Sequence, residues 1–375
     1  MRLFSFLRDI LRSRRRVPTA PRYLTYIVTF ACNARCVMCD SWRKPSDDDL
    51  TTEETDRIFS QLPRMDVVRL TGGEPFLRKD LVDIAALAHA HLRPLLLHVT
   101  TNGFLTNRIV EFCERRPRDL PLALLVSIDG LRDKHNAIRG REKAFEFAMQ
   151  TLEALAPRRR ELRLRLAVNQ TITDAEGAAQ YRPLREALRP LGIANHIVMA
   201  YDVSATYSAE REIEAAPREI GQFVPWGEFA ADQLRALLDE AEAGLGELPW
   251  AERIAKRYYL SGIRNRLLGG RGEPNPPCVA LGAHIRLYPN GDVPVCQFNS
   301  RRVGNLREQT FRDVWFGDAI GPHRQWVRRC PGCWAECEVL PNAIYTGNLL
   351  RSAFQCNNPS TVETSERMGK AGHSG

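Results

Sequence analysis

The sequence predicts an α/β fold: a parallel sheet assembled from six strand–helix repeats, followed by a small cysteine-rich domain. Two observations carry this. From about residue 23 to residue 201, short apolar runs alternate with longer segments of helical period, the alternation that parallel crossovers require. In addition, three cysteines crowd between residues 32 and 39, and six more lie between 278 and 356. Ten cysteines in 375 residues are too few for a disulfide scaffold. Their grouping at short spacing points to metal ligation in a reducing compartment.

Taken in order, residues 1–21 read as a basic amphipathic helix. Leu3, Phe4, Phe6, Leu7, Ile10 and Leu11 fall at helical spacing among Arg2, Arg8, Arg12 and Arg14 to Arg16. Such a stripe either docks on the protein's own core or lies on an anionic membrane surface, and Pro18 and Pro21 stop the helix. Residues 22–205 hold the repeats. Strands over Tyr26–Phe30, Val67–Thr71, Leu95–Thr101, Leu122–Ile128, Leu162–Thr171 and His196–Tyr201 are expected from their apolar runs. Helices over Glu53–Leu62, Asp80–His91, Asn107–Arg115, Ala144–Leu155 and Ala175–Leu188 separate them.

Residues 206–275 read as a helical bridge, polar loops around helices Glu228–Glu240 and Trp250–Leu268, ended by Gly269-Gly270-Arg271-Gly272. Residues 276–358 form the cysteine-rich domain. Within it, Leu287 to Val293 bends at Asn290-Gly291, a strand–turn–strand signal expected to carry Cys296 back toward Cys278. The small, polar tail over 359–375 reads as disordered.

The net charge is +8, with clusters at Arg14 to Arg16, Arg158 to Arg160, Arg301-Arg302 and Arg328-Arg329. These clusters are scattered and lack interleaved aromatics, so they read as solvated faces, and no nucleic-acid partner is expected. No apolar stretch approaches the roughly 20 residues of a membrane span. Arg8, Asp9 and Arg12 interrupt the only candidate for a secretory signal, and a cytoplasmic location is expected.

Cys32, Cys36 and Cys39 follow strand one directly, so their spacing gathers three thiolates on one tight loop. Three soft ligands suit an iron–sulfur cluster that keeps one iron open, and open positions are where metal sites do chemistry. A zinc site completed by a distant residue is the other reading of this segment alone. Gly72-Gly73-Glu74-Pro75 follows strand two, where glycines permit close backbone approach and Glu74 offers an anion. Thr101-Asn102-Gly103 ends strand three. Ser127-Ile128-Asp129-Gly130 ends strand four, and His135-Asn136-Ala137-Ile138-Arg139-Gly140 comes after it. Cys113 sits alone in a helix and reads as a buried hydrophobe.

This C-x3-C-x2-C loop, with the four segments after it, resembles the radical S-adenosylmethionine (SAM) enzymes. The resemblance implies a partial (β/α)6 barrel with ligands at the carboxyl ends of its strands. In that family SAM chelates the open iron of a 4Fe–4S cluster and is cleaved to a 5′-deoxyadenosyl radical. It implies SAM contacts at Gly72, Gly73, Glu74, Ser127 and Asp129. It further implies a carboxylate-binding role for Arg139, a ribose contact at Asn169 and adenine packing on strand six. Met38 departs from the aromatic that the family usually carries before the third cysteine.

Cys278, Cys296, Cys330, Cys333, Cys337 and Cys356 are similar to the SPASM/twitch extensions that hold auxiliary 4Fe–4S clusters. Here the run is C-x2-C-x3-C, shorter than the SPASM pattern, so one auxiliary cluster is implied, or two if one has an open or non-cysteine ligand. A zinc knuckle is the alternative. The expected function is a radical SAM oxidoreductase or maturase acting on a peptide or small molecule, supplied by a flavodoxin- or ferredoxin-like electron donor. A twitch-type alcohol dehydrogenase of a sugar pathway and a non-catalytic redox-sensing or scaffold protein stand beside it. No catalytic residue is singled out.

Overall fold

A computed structural model describes residues 2–15, 17–201, 204, 206–208, 225–269 and 275–350. Helix α1 (Arg2–Arg14) precedes strand β1 (Tyr23–Thr29). Five crossovers follow: α2 (Thr52–Gln61) to β2 (Val67–Gly72), α3 (Leu81–Leu87) to β3 (Leu96–Thr101), and α4 (Thr106–Arg115) to β4 (Leu122–Ser127). Helices α5 (Arg132–Arg139) and α6 (Ala144–Leu155) lead to β5 (Leu164–Ile172), and α7 (Ala175–Ala179) and α8 (Tyr181–Leu188) lead to β6 (Ala194–Met199). The strands lie in chain order, all parallel, β6-β5-β4-β3-β2-β1. Buried on both faces, β1 and β4 are near-continuous apolar runs, as covered parallel strands should be. The crossover helices carry their own start signals; Thr51 and Glu54 close a reciprocal capping box on α2.

The carboxyl-terminal part adds to this sheet. Helices α9 (Ala231–Ala243) and α10 (Trp250–Leu267) are followed by β7 (His284–Leu287), then β8 (Asp292–Cys296) and β9 (Asn299–Asn305). Helices α11 (Phe311–Phe316), α12 (Gly321–Arg329) and α13 (Glu336–Tyr345) complete the described chain. β7 does not ladder with β8 as the Asn290-Gly291 bend suggests. It joins the large sheet as a seventh parallel strand, with Tyr23 opposite His284 and Tyr26 opposite Leu287. The bend is real, with Gly291 N donating to Tyr288 O at 3.0 Å, but β8 pairs antiparallel with β9 instead. The exchange is possible because the polar residues of β7 find buried partners. Arg286 Nη2 donates to Glu338 Oε1 at 2.6 Å, and His284 lies between Glu338 (3.3 Å) and the Thr25 hydroxyl (2.9 Å).

Helix α1 docks on the protein's own core. Ile10 is buried and Phe6 meets Tyr345 edge-on at 6.0 Å. Arg22 then ties the helix to the sheet, reaching Asp9 at 3.0 Å and Asp66 at 2.7 Å. The opposite side still presents Phe4, Leu7 and Leu11, exposed by 80%, 45% and 57%. Of the charged clusters, Arg158 pairs at the surface with Glu114 and Glu161. Cys113 is buried in the main core.

Candidate functional site

At the carboxyl end of β1 the chain turns into the cysteine loop, and every motif segment named above touches that loop or its supports. Gly73 N donates to Thr29 O (2.9 Å) and Glu74 N to Ala31 O (2.8 Å). A Cβ on Gly72 would stand 2.2 Å from Thr29 O, and one on Gly73 2.2 Å from Ala31 O. Gly72 moreover has φ +147°, a region that favours glycine. The two glycines therefore let one loop lie on another, and both also line the cavity described below. From the other side Arg35 N donates to Arg139 O (2.9 Å) and Val37 N to Ile138 O (3.0 Å). Asn102 Nδ2 reaches Asn33 Oδ1 at 2.6 Å.

Cys32, Cys36 and Cys39 line one cavity of about 230 Å³, together with Met38, Gly72, Gly73, Ser127 and Arg139. It opens at the carboxyl edge of the sheet, where parallel α/β folds place their ligands. Glu74 and Asp129 stand behind its wall. Glu74 is buried and accepts from Thr101 Oγ1 (2.8 Å), Asn102 N (2.7 Å) and Phe76 N (3.1 Å). Burial outweighs these bonds and pushes its carboxyl up to about 7.

Asp129 is also desolvated, yet the Arg139 guanidinium, then His135 and the Thr171 N–H, hold it down at about 2. Arg139 grips it with Nε at 2.7 Å from Oδ2 and Nη2 at 3.0 Å from Oδ1, while Nη1 points to Cys36 Sγ at 3.5 Å. The guanidinium fork is thus occupied by Asp129, and its free corner orients a cysteine sulfur. Asn169 lies in register with Ser127 and His196, and its Oδ1 is buried without a hydrogen-bond partner among the described residues.

Burial pushes the Cys32 thiol up to about 11 and the Cys39 thiol up to about 12. Thiols so protonated ligate only as a metal displaces their protons. Among the described residues no three His, Cys, Asp or Glu side chains already stand as a metal-ligating group. The donor chemistry does fit a cluster with one open iron, since three soft ligands face one cavity whose remaining wall offers no further thiol, imidazole or carboxylate among the described residues.

The second set gathers around α13. Cys296 and Cys333 are buried, and Cys278, Cys330 and Cys337 are half-buried against the same core. Burial raises the Cys333 thiol well above its ordinary value, and the charges of Glu338, Cys278, Cys296 and Cys337 add to it. Cys356 lies outside the described residues, as does the tail over 359–375. The loop is fixed by Trp334, which is fully buried, donates Nε1 to Tyr259 O at 2.9 Å and is covered by Arg266 at 3.7 Å. Gly262 of α10 makes the room, for a Cβ there would lie 1.7 Å from the indole.

Val198 to Tyr201, at the end of the expected sixth strand, do line the cavity, whereas sequence reasoning missed Arg69, Thr71, Thr100 and Tyr207. The available signal was Arg69, a charge inside an otherwise apolar strand run.

Residues 26–174 match the Radical SAM superfamily, and residues 278–338 match SPASM, an iron–sulfur cluster-binding domain. The AdoMet-dependent heme synthase of Methanosarcina barkeri (strain Fusaro / DSM 804) is 27% identical over 320 residues, 79% of this chain and 82% of the relative. The Fe-coproporphyrin III synthase of the same organism is 28% identical over 308 residues, 77% of this chain and 72% of the relative. The fold is also that of Streptococcus suis SuiB bound to its precursor peptide SuiA, with TM-score 0.56, 15% identity, 84% of this chain and 70% of that one. The chain is therefore a radical SAM enzyme, a radical SAM domain followed by a SPASM-type auxiliary domain.

Proposed function

We propose that residues 22–205 hold a 4Fe–4S cluster on Cys32, Cys36 and Cys39 beside SAM. Residues 276–358 hold one auxiliary cluster, or two, drawn from Cys278, Cys296, Cys330, Cys333, Cys337 and Cys356, and residues 206–275 bridge the two units. The observation that carries this reading is the single cavity shared by three thiols, two motif glycines, Ser127 and Arg139. When bound, the cluster and SAM supply a 5′-deoxyadenosyl radical that abstracts hydrogen from substrate.

The chain's own residues hold, orient and shield. Arg139 donates toward Cys36 Sγ while Asp129 fixes its plane, and hydrogen bonds to sulfur are a lever on cluster potential. Gly72 and Gly73 keep that wall free of side chains, and the orphan acceptor Asn169 Oδ1 suits a ribose hydroxyl. Glu74 locks the second loop against Asn102 and, when ionised, offers a negative charge to the SAM amino group.

Two relatives matched over most of their length are named for making heme and Fe-coproporphyrin III, which supports a small-molecule substrate. The fold shared with peptide-bound SuiB supports a peptide as the second reading. A flavodoxin- or ferredoxin-like protein is the proposed electron donor, and the cytoplasm, a reducing compartment, the proposed location. The outer side of α1, with Phe4, Leu7 and Leu11 exposed beside Arg8 and Arg12, suits weak contact with an anionic membrane surface. Flotation with phosphatidylglycerol but not phosphatidylcholine vesicles checks that contact.

Anaerobic reconstitution followed by dithionite and SAM tests the main reading. 5′-Deoxyadenosine is expected; its absence with intact clusters refutes it.

A further inference from the structure

Among the described residues, Arg69 is a cation left without a hydrogen-bonded partner inside the cavity. It stands on β2, opposite Thr25 of β1 and His98 of β3, and lines the cavity. No hydrogen bond or ion pair engages it among the described residues, and its Nε is buried without a partner. The Thr100 hydroxyl, on the same wall, is likewise buried and unpartnered. The neighbouring anions are occupied elsewhere: Glu336 by Lys256, and Glu338 by Arg286 and His284. His98 beside it is held neutral by burial and by the Arg69 charge. Arg139, the other cation lining the cavity, is committed to Asp129 and Cys36.

Against burial, distant acidic groups, Glu336 among them, hold the guanidinium charged, but none of them is at hydrogen-bond distance, so its buried N–H groups stay unsatisfied until an anion arrives. The pair of orphan donors, Arg69 Nε and Thr100 Oγ1, would offset that cost by binding one oxyanion. Arg69 lies two residues before Thr71, about 7 Å deeper along the strand at the usual rise per residue. Its charge is felt by Cys337 of the auxiliary set.

We infer that Arg69, assisted by Thr100, anchors a carboxylate of the substrate on the side of the cavity facing the auxiliary cysteines. This deepens the function proposed above and rests on it for the identity of the cavity. One uncommitted cation suits a monoanion; a phosphate dianion usually collects more positive charge than this wall offers. The carboxylate would place the rest of the substrate between the SAM end and the auxiliary end, within reach of both.

The test uses full-length, anaerobically reconstituted protein saturated with SAM and without reductant, so that the carboxylate of SAM is already placed. Phenylacetate, neutral phenylacetamide and phenyl phosphate are titrated by calorimetry into wild type, Arg69→Gln and Arg69→Lys. Wild type is expected to prefer phenylacetate over the amide by about tenfold, the scale of one charge-assisted hydrogen-bonded pair. Arg69→Gln is expected to lose that preference and Arg69→Lys to keep part of it.

Equal binding of acid and amide by wild type overturns the inference, as does an undiminished preference in Arg69→Gln. Should Arg69→Gln not fold, Arg69→Lys decides: an undiminished preference there overturns the two-pronged contact. Tighter binding of phenyl phosphate overturns the carboxylate assignment, and a tenfold loss of SAM affinity in Arg69→Gln reassigns the guanidinium to SAM. 5′-Deoxyadenosine formation by reduced wild type is scored separately, so failure of the anion site and failure of the proposed function remain distinct.

Discussion

The two cysteine regions are held by opposite means. The amino-terminal loop is pinned by hydrogen bonds: backbone to the Gly72-Gly73-Glu74 loop and to α5, and side chain to Asn102 and Arg139. Its thiols are half-buried and share a cavity wall. The carboxyl-terminal loop is pinned by an aromatic plug, Trp334, seated against Gly262 under Arg266, and Cys296 and Cys333 lie inside the core. A polar frame leaves one coordination face open to a ligand. An apolar one excludes water and raises the cost of placing charge inside it. The difference fits a reaction site at one end and an electron store at the other.

The largest effect should come from separating the regions outright. Cys36→Ala is expected to abolish 5′-deoxyadenosine formation while carboxyl-terminal iron persists, as iron and sulfide analysis with spectroscopy would show. Equal loss of both iron pools contradicts the two-site arrangement. Next, Asp129→Ala leaves the buried Arg139 charge unpaired, and loss of one partner of such a pair costs about 3–5 kcal/mol. Urea unfolding of the apo-chain measures it, and disordering of the Cys36 side should lower SAM cleavage in parallel.

On the apolar side, Trp334→Ala should cost a similar amount, about 3–5 kcal/mol, but leave Cys32-loop iron in place. Gly262→Ala is gentler, about 1–3 kcal/mol of overpacking, since the indole must shift from a Cβ otherwise 1.7 Å away. If Gly262→Ala instead depleted the amino-terminal iron first, the two frames would not be independent.

The same contrast explains what could be read in the chain beforehand. Strands β1 and β4 were legible as apolar runs buried on both faces, β3 and β5 by alternating burial, and the cysteine spacings are local. Strand β7 was not: His284 and Arg286 look like surface residues until Glu338, some fifty positions later, supplies their buried partner. Arg139 was legible as a site residue, but its buried partner Asp129, ten residues earlier, was not. The motif glycines were legible from their spacing, but not that a Cβ on either would also collide with carbonyls of residues 29 to 31, which only the packing of the two loops shows. Arg69 carried a signal in its misfit to the strand run, but only the sheet register shows that it faces the cavity.

The smallest effect expected concerns pH, and it bears on the polar frame alone. Glu74 has its carboxyl raised to about 7, first by burial, against an ordinary value of 4.5. The folded chain therefore binds this proton more tightly than the unfolded chain. Its stabilising contribution is complete below about pH 4.5 and is lost as pH climbs through 7, an effect on the order of 1 kcal/mol or more. Asp129 runs the other way: held at about 2, it contributes above its unfolded value and loses that contribution only in strong acid.

Between pH 5 and 8 the Glu74 slope should thus be visible against a flat Asp129 background. The difference in urea midpoint between wild type and Glu74→Gln isolates it, because glutamine cannot ionise. An ammonium group brought to the Gly73–Glu74 loop would favour the ionised carboxylate, so added SAM should move the window to lower pH in wild type and leave Glu74→Gln unmoved. An identical pH dependence in both proteins, with and without SAM, would reduce Glu74 to a loop pin and leave the ammonium group to the residues that line the cavity itself.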